Sequence, residues 1–489
     1  MKITYIGGGS KGWAHNYFSD LLLQDKLSGE LALYDIDQKK AERNVRFFDK
    51  LKRVNKDSVK SEWTAKMYPT IEEALRGCDF VVISILPGTF NHMQQDVHYP
   101  EKYGVQQTVG DTVGAGGYSR ALRTIPAMRF FGQKIKEICP DAYVINYTNP
   151  LAMSIYALYS AFPGIKAFGC CHEVFGTQKL LAAIFDLYNL LDDEGKCLFI
   201  AGNYKEVSAR LGDPLLSLKK IEHKTARTEI RVDVVGINHF TWITRAEVRG
   251  QDLFPIYRGY AEMIMQRNMQ SFYKKMPLFR RWMHNAHFVK LSLFLKYGKI
   301  AAAGDRHLVE FMPDVWLYNK KKYRENGFVK TYVLMRKLRE FLRGVRQWYN
   351  LHLASKIKLK ESGEEGVLQM TALMGLTELI TNVNIPNTGY MSGIPSGYVV
   401  ESNAKFSKAG IEPIPVQTIG GEIGERIMTH AQNQRDFVKA YFNRDAEGLF
   451  AAFSKDYSVA HLSEEKKRHL FEELIAKNKP VLEDFLHNF

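Results

Sequence analysis

No run of the 489 residues approaches the roughly 18 to 20 consecutive apolar positions that a bilayer-spanning helix needs. The opening stretch, MKITYIGGGSKGW, has neither the charged region nor the apolar core of an export signal, and it reads as a strand running into a glycine turn. Cysteine is scarce. Five residues, at 78, 139, 170, 171 and 197, form an odd set without a paired framework. That argues against a disulfide-stapled secreted fold and for thiols kept free or on a metal, in a reducing compartment such as the cytoplasm. Internal repeats, low-complexity tracts and flexible linkers are missing too, so the parts of the chain should share a tight interface. The length exceeds one ordinary core, and two domains are expected.

Acid is also in deficit. Lys and Arg number 67 against 53 Asp and Glu, a formal net charge of +14. Much of the excess falls in 257–300 and 317–348, which read as amphipathic helical segments with solvated Lys/Arg faces. No nucleic-acid-binding motif accompanies the charge. Neither nucleic acid nor membrane is expected as a partner, whereas an acidic small molecule suits the excess.

What is present starts with alternation of strand and helix. KITYIG, GELALYDID, CDFVVISILPG, AYVINYTNP and IKAFGCCHEV read as short buried strands, separated by helices such as AHNYFSDLLLQD and RTIPAMRFFGQKIKEIC. VGDTVGAGGYSRALR reads as a glycine-rich loop before the second of these helices. This pattern predicts an α/β, doubly wound parallel sheet over 1–195. Beyond it TEIRVDVVGINHFTWITRAEV alternates like antiparallel strands, and long helices follow. Residues 196–489 are therefore expected to form a helix-rich, mixed α+β domain.

Gly7, Gly9 and Gly12 fit G-x-G-x-x-G between a strand and a helix, with Ser10 inside the turn and Asp35 ending the next strand. The glycines permit a tight turn, close approach of a pyrophosphate, and helix–strand packing, while the helix N-terminus offers free N–H groups. An acid at Asp35 would accept hydrogen bonds from ribose hydroxyls and so favours NAD over its 2′-phosphorylated form.

NYTNP (146–150) and CCHEV (170–174) follow expected strands and should face the same crevice, with GINHF (236–240) closing over it. Cys171 and His239 suit a divalent metal, Mn²⁺, Fe²⁺, Co²⁺ or Ni²⁺, with positions left open for substrate oxygens. Taken by spacing alone, Cys171 serves equally as a small buried residue and His239 as a hydrogen-bonded strand histidine.

The ordered set YIGGGSKGW, GAGGYSRALRTIP, NYTNPLAM, CCHEV and GINHFTW resembles glycoside hydrolase family 4 from residue 1 to about 425. The resemblance implies a Rossmann-type fold like that of lactate and malate dehydrogenases, NAD, a divalent metal such as Mn²⁺, and a homo-oligomer, dimer or tetramer. It puts the metal on Cys171 and His239, and substrate hydroxyls on Asn149, with Asp111 in the same substrate set. Cys-His-Glu-Val at 171–174 is similar to the α-galacturonidase branch. By the resemblance, Met93 stands where phospho-sugar members carry a phosphate-binding arginine, leaving Arg120, Arg306 and His307 to meet a sugar carboxylate. The implied chemistry is oxidation at C3, removal of the C2 proton, elimination at C1, addition of water and reduction at C3. Asp305 is the expected base, and His172 or Glu173 the acid at the leaving oxygen. Cys170 has no assigned role. Alternatives are an α-glucosidase, α-glucuronidase or α-galactosidase of the same family, or an NAD-dependent 2-hydroxy-acid dehydrogenase.

Overall fold

Six short strands open the chain: β1 (Lys2–Ile6), β2 (Gly29–Tyr34), β3 (Trp63–Met67), β4 (Phe80–Ile83), β5 (Tyr143–Asn146) and β6 (Lys166–Gly169). They pair in parallel in the order β3-β2-β1-β4-β5-β6. This is the expected doubly wound arrangement, and its order reverses between β1 and β4, which opens a crevice at the carboxyl ends of the strands. Helices cover both faces, so Phe80, Val81, Val82 and Ile83 are buried in succession instead of alternating. The computed structural model describes residues 1–266, 287–318, 328 and 330–487. The centre of the basic stretch 257–300 and the start of 317–348 lie outside the described residues.

The sheet continues past β6. Strand Leu379–Pro386 pairs antiparallel with β6 and with strand Val399–Ser407, which in turn pairs with β7 (Ile230–Ile237). β7 and β8 (Phe240–Val248) form an antiparallel hairpin whose two turn residues are Asn238 and His239. Among the described residues thirteen strands thus make one sheet, mixed in direction, with its parallel part N-terminal in sequence. The C-terminal helix Glu464–His487 returns to pack on helix Gly114–Ile138.

Two expectations need correction. The glycine-rich stretch 109–123 is not loop throughout, because helix Gly114–Ile138 begins inside it. Glycine is needed there for contact. A Cβ on Gly116 would stand 2.4 Å from the Asp96 carbonyl oxygen, and one on Gly117 2.6 Å from the Thr112 carbonyl carbon. The second correction concerns helix Val333–His352, which is amphipathic and exposes Lys337, Arg339, Arg343 and Arg346 as expected, but leaves its apolar side exposed as well. Gln347 is buried, whereas Leu334, Leu338, Phe341, Leu342, Val345 and Trp348 are exposed. Its polar side has partners within the fold: Glu340 meets Lys11 at 3.3 Å, and Gln347 donates to Asn44 at 2.6 Å.

A buried ion pair locks the helices beneath the site. Arg123 donates to both Asp96 oxygens, at 3.0 and 2.6 Å, and also bonds Asn478 of the last helix. Ser119 donates to Asp96 at 2.7 Å and accepts from Asn478 at 3.0 Å. Arg123→Met would strand the Asp96 charge in the interior. It is expected to cost about 3–5 kcal/mol in denaturant unfolding, and Asp96→Asn less, since the amide keeps one acceptor.

Candidate active site

The carboxyl ends of the strands line up in one row. Ile6 pairs with Ile83, Ile83 with Asn146, Asn146 with Gly169, Gly169 with Asn384, Asn384 with Glu401, and Glu401 with Gly236. The residues just beyond this row therefore share one edge: the glycine turn after β1, Thr148 and Asn149 after β5, Cys170 to Glu173 after β6, and the Asn238–His239 turn.

At the glycine turn, Gly7 and Gly8 donate to the Tyr34 carbonyl at 2.9 Å each, and Gly9 donates to Asp35 at 2.9 Å. Gly7 has φ +98°, and a Cβ there would lie 2.2 Å from the Ser84 carbonyl oxygen. Ser10 folds back, its N–H on the Gly7 carbonyl at 3.1 Å. Helix Trp13–Leu23 starts at Gly12 with no side-chain cap and no acid in its first turn. The Arg343 guanidinium stands over it, 2.9 Å from where a Gly12 Cβ would be. A cation against the positive end of a helix is unfavourable, and an anion between them would satisfy both. These features fit the pyrophosphate of a dinucleotide.

Against Asn149, on the same edge, lies a compact set of donors. Atoms of Asp111, His239 and His307 all lie within 4.8 Å of one another, and the two imidazole rings are 4.0 Å apart between centroids. His239 occupies the left-handed region at φ +64°, a conformation uncommon for a side chain with Cβ, and this turns its ring toward the set. Its Nδ1 shares a 2.8 Å hydrogen bond with Thr112 Oγ1, and Thr112 donates to Asp111 at 2.8 Å. Burial, reinforced by His307, lowers the His239 pKa to about 3, so the ring is a neutral lone-pair donor at ordinary pH. Burial would raise the Asp111 carboxyl, but His307, Arg120 and His239 outweigh it and hold the group ionised, well below the usual carboxylate range. Imidazole nitrogens and a carboxylate are the donors that suit Mn²⁺ and its neighbours.

The other expected residues fall around this set. Asn149 donates to Asp111 at 3.3 Å, and Arg120 donates to the Asn149 carbonyl at 3.2 Å. The Cys171 thiol is not one of the trio but neighbours Asn238, the residue before His239, and burial with Glu401 and Glu173 nearby pushes it up. A bound divalent cation reverses that balance by favouring the thiolate. Cys170 donates to Gln369 at 3.1 Å, a structural contact. His172 is half-exposed between Glu173 at 3.9 Å and Glu364 at 3.6 Å. Glu173 accepts the Gly304 N–H at 2.6 Å. Its burial is overcome by His307, His239 and His172, and its pKa falls to about 2. The Asp305 oxygens accept the N–H groups of Val289 and Lys290 at 3.1 Å each, at the start of helix Phe288–Tyr297, and burial raises its carboxyl. Arg306 donates to the Thr108 carbonyl at 2.8 Å and to Thr331 at 2.7 Å.

Two residues were missed. One Glu310 oxygen accepts three consecutive N–H groups, of Thr108, Val109 and Gly110, at 2.7, 2.7 and 2.9 Å, and so shapes the loop that presents Asp111. Lys290, buried, donates to the Ala302 carbonyl at 3.1 Å, and burial lowers its pKa to about 8 with Glu173 and Asp305 nearby. A lone lysine in the apolar run FVKLSLFL and the crowded DRHLVE were their signals.

The chain matches the models of the family 4 glycosyl hydrolases at residues 2–187 and of their C-terminal domain at 234–459. It is 43% identical to an α-galacturonidase of Thermoanaerobacterium saccharolyticum, covering 99% of this chain and 97% of that one. Among solved structures it resembles LplD of Bacillus subtilis, with a TM-score of 0.82 and 38% identity over 97% of this chain and 99% of that one. A 6-phospho-α-glucosidase from gut microorganisms, solved with NAD and Mn²⁺, shares the fold at a TM-score of 0.72 and 18% identity, covering 98% of each chain.

If the trio is the ion's seat, His239→Ala and His307→Ala should each weaken Mn²⁺ binding by at least about 10-fold in a paramagnetic-resonance titration. Cys171→Ser measured alongside reads whether the thiol joins them, as a further loss of affinity.

Proposed function

We propose that this chain, which belongs to family 4 of the glycosyl hydrolases, is an NAD- and divalent-metal-dependent α-galacturonidase acting on short galacturonides of the kind pectin yields. The observation that carries this reading is its end-to-end likeness, at 43% identity, to an α-galacturonidase. The cations at the site agree with it, since Arg120 and Arg306 both lie against the loop that presents Asp111, where a sugar carboxylate would be welcome. Bound NAD⁺ and metal supply a hydride acceptor and Lewis acidity, which together loosen the proton at C2 of the sugar.

The chain's own residues do the rest. Gly7, Gly9, Ser10, Gly12 and Asp35 hold the dinucleotide. Asp111, His239 and His307, with Cys171 beside them, hold the ion, for which Mn²⁺ is the first choice. Asn149, oriented by its bond to Asp111, takes a sugar hydroxyl. Asp305 receives the C2 proton in this reading, and burial, by raising its carboxyl, makes it the stronger base. His172, open to the crevice next to Glu173, gives a proton to the departing oxygen. Residues 1–195 serve the cofactor, and 196–489 complete the substrate and metal site. A cytoplasmic setting supplies both NAD and the reducing conditions that five free cysteines call for. No helix among the described residues is long and apolar enough to cross a membrane.

We also read the protein as a homo-oligomer, dimer or tetramer. The support is the apolar side of helix Val333–His352, where Leu334, Leu338, Phe341, Leu342, Val345 and Trp348 stand exposed along one element, as contiguous apolar surface at an interaction site does. Phe341→Glu should then shift the sedimentation coefficient toward a smaller species.

Nitrophenyl α-glycosides and short galacturonides, assayed with NAD⁺, Mn²⁺ and thiol reductant, test the activity. Hydrolysis of galacturonides is expected, with loss on chelation and recovery on adding Mn²⁺. Turnover confined to neutral sugars would remove the galacturonide assignment.

A further inference from the structure

The candidate site contains one cation that neither the sequence motifs nor the donor set accounts for. Arg336 lies in the first turn of helix Val333–His352. The chain leading into it is tied to the loop that presents Asp111. Thr331 N–H donates to the Thr108 carbonyl at 2.7 Å, Arg306 donates to Thr331 Oγ1 at 2.7 Å, and Lys330 donates to Gln106 at 2.6 Å. The next residue, Lys337, reaches away to Asn91 at 2.8 Å. These ties aim Arg336 inward, where the charged groups it faces are Asp111, Arg120, Arg306 and Arg339.

Its hydrogen bonding is incomplete. The Nε of Arg336 is buried and has no partner among the described residues. The guanidiniums beside it are engaged with the protein: Arg120 holds the Asn149 carbonyl and Arg306 holds Thr108 and Thr331. A buried donor without an acceptor costs about 1–3 kcal/mol, and gathered like charges repel, so the arrangement is favourable when an anion completes it. A carboxylate matches the planar fork of a guanidinium with two parallel hydrogen bonds, and an ammonium could not replace that geometry.

We propose that Arg336 binds the C6 carboxylate of the sugar acid and is the main determinant of galacturonide over galactoside. The inference rests on the α-galacturonidase reading and names the group by which that site reads its substrate. Arg336 is delivered by a C-terminal helix that also lies on the glycine turn through Lys11–Glu340 and Arg343. Substrate acid and cofactor would thus be sensed by one element.

The test compares wild type, Arg336→Gln and Arg336→Lys with NAD⁺ and Mn²⁺ present. Two readouts are taken: kcat/KM on nitrophenyl α-galacturonide and on nitrophenyl α-galactoside, and calorimetric affinity for free galacturonate and free galactose. The ratio of acid to neutral substrate is expected to fall about 100-fold in Arg336→Gln, chiefly through KM, with Arg336→Lys between it and wild type. Galacturonate affinity should fall in step. Thermal unfolding checks that the variants fold. An unchanged ratio, or equal loss on both substrates, overturns the inference. A wild-type protein that cleaves no galacturonide instead counts against the activity assigned above, and the monosaccharide affinities still decide the role of Arg336.

Discussion

A single row of paired residues crosses the sheet from Ile6 through Ile83, Asn146, Gly169, Asn384 and Glu401 to Gly236. Everything at the site hangs from the ends of that row. Because side chains alternate along a strand, a slip of one residue at the Gly169–Asn384 junction would send the β7–β8 turn to the opposite face and separate His239 from Asp111. The join between the parallel and antiparallel parts is therefore the constraint that makes one crevice out of two regions of chain. Buried Glu401 helps hold it, accepting from Asn382 at 2.7 Å on the adjacent strand and from Thr241 at 2.6 Å on β8, one strand beyond β7.

The crevice contains an unusual density of charge for a protein interior, and its acids are compensated by position. Asp111 stays ionised because two imidazoles and Arg120 face it; Glu173 does so because three histidines and the Gly304 N–H do. Glu310 is held by backbone donors, which keeps the Asp111 loop in one conformation. Charges arranged in advance in a water-poor site need little reorganisation when a polar reaction runs through it. The incomplete part is informative: around Arg336 the cations Arg120, Arg306 and Arg339 outnumber the single acid Asp111, as a site for an acidic sugar requires.

Helix Val333–His352 shows how context decides which face of an amphipathic element turns inward. In an ordinary surface helix the apolar side is buried. Here the polar side is committed to the glycine turn through Glu340 and Gln347, and the apolar side is left outward. Ordering such a helix against a phosphate-binding turn gives up hydrophobic burial within one subunit, a loss that contact with another copy would offset.

The sequence by itself determined the local devices: the strand–turn–helix with Gly7, Gly9, Gly12 and Asp35, the run of buried parallel strands, and the hairpin around GINHF. Each is written within a few neighbouring residues, where sterics and hydrophobic period act directly. It also marked His239, Asp111, His307 and Asn149 as site residues, but not which of them meet. Glu310 binds a loop 202 residues away, and Asp305, expected only as a base, also holds the start of a helix. The burial of Gln347 likewise depended on the turn against which its helix lies. Such pairings were decided by tertiary structure, because desolvation and charge compensation depend on which distant segments the sheet register brings to one edge.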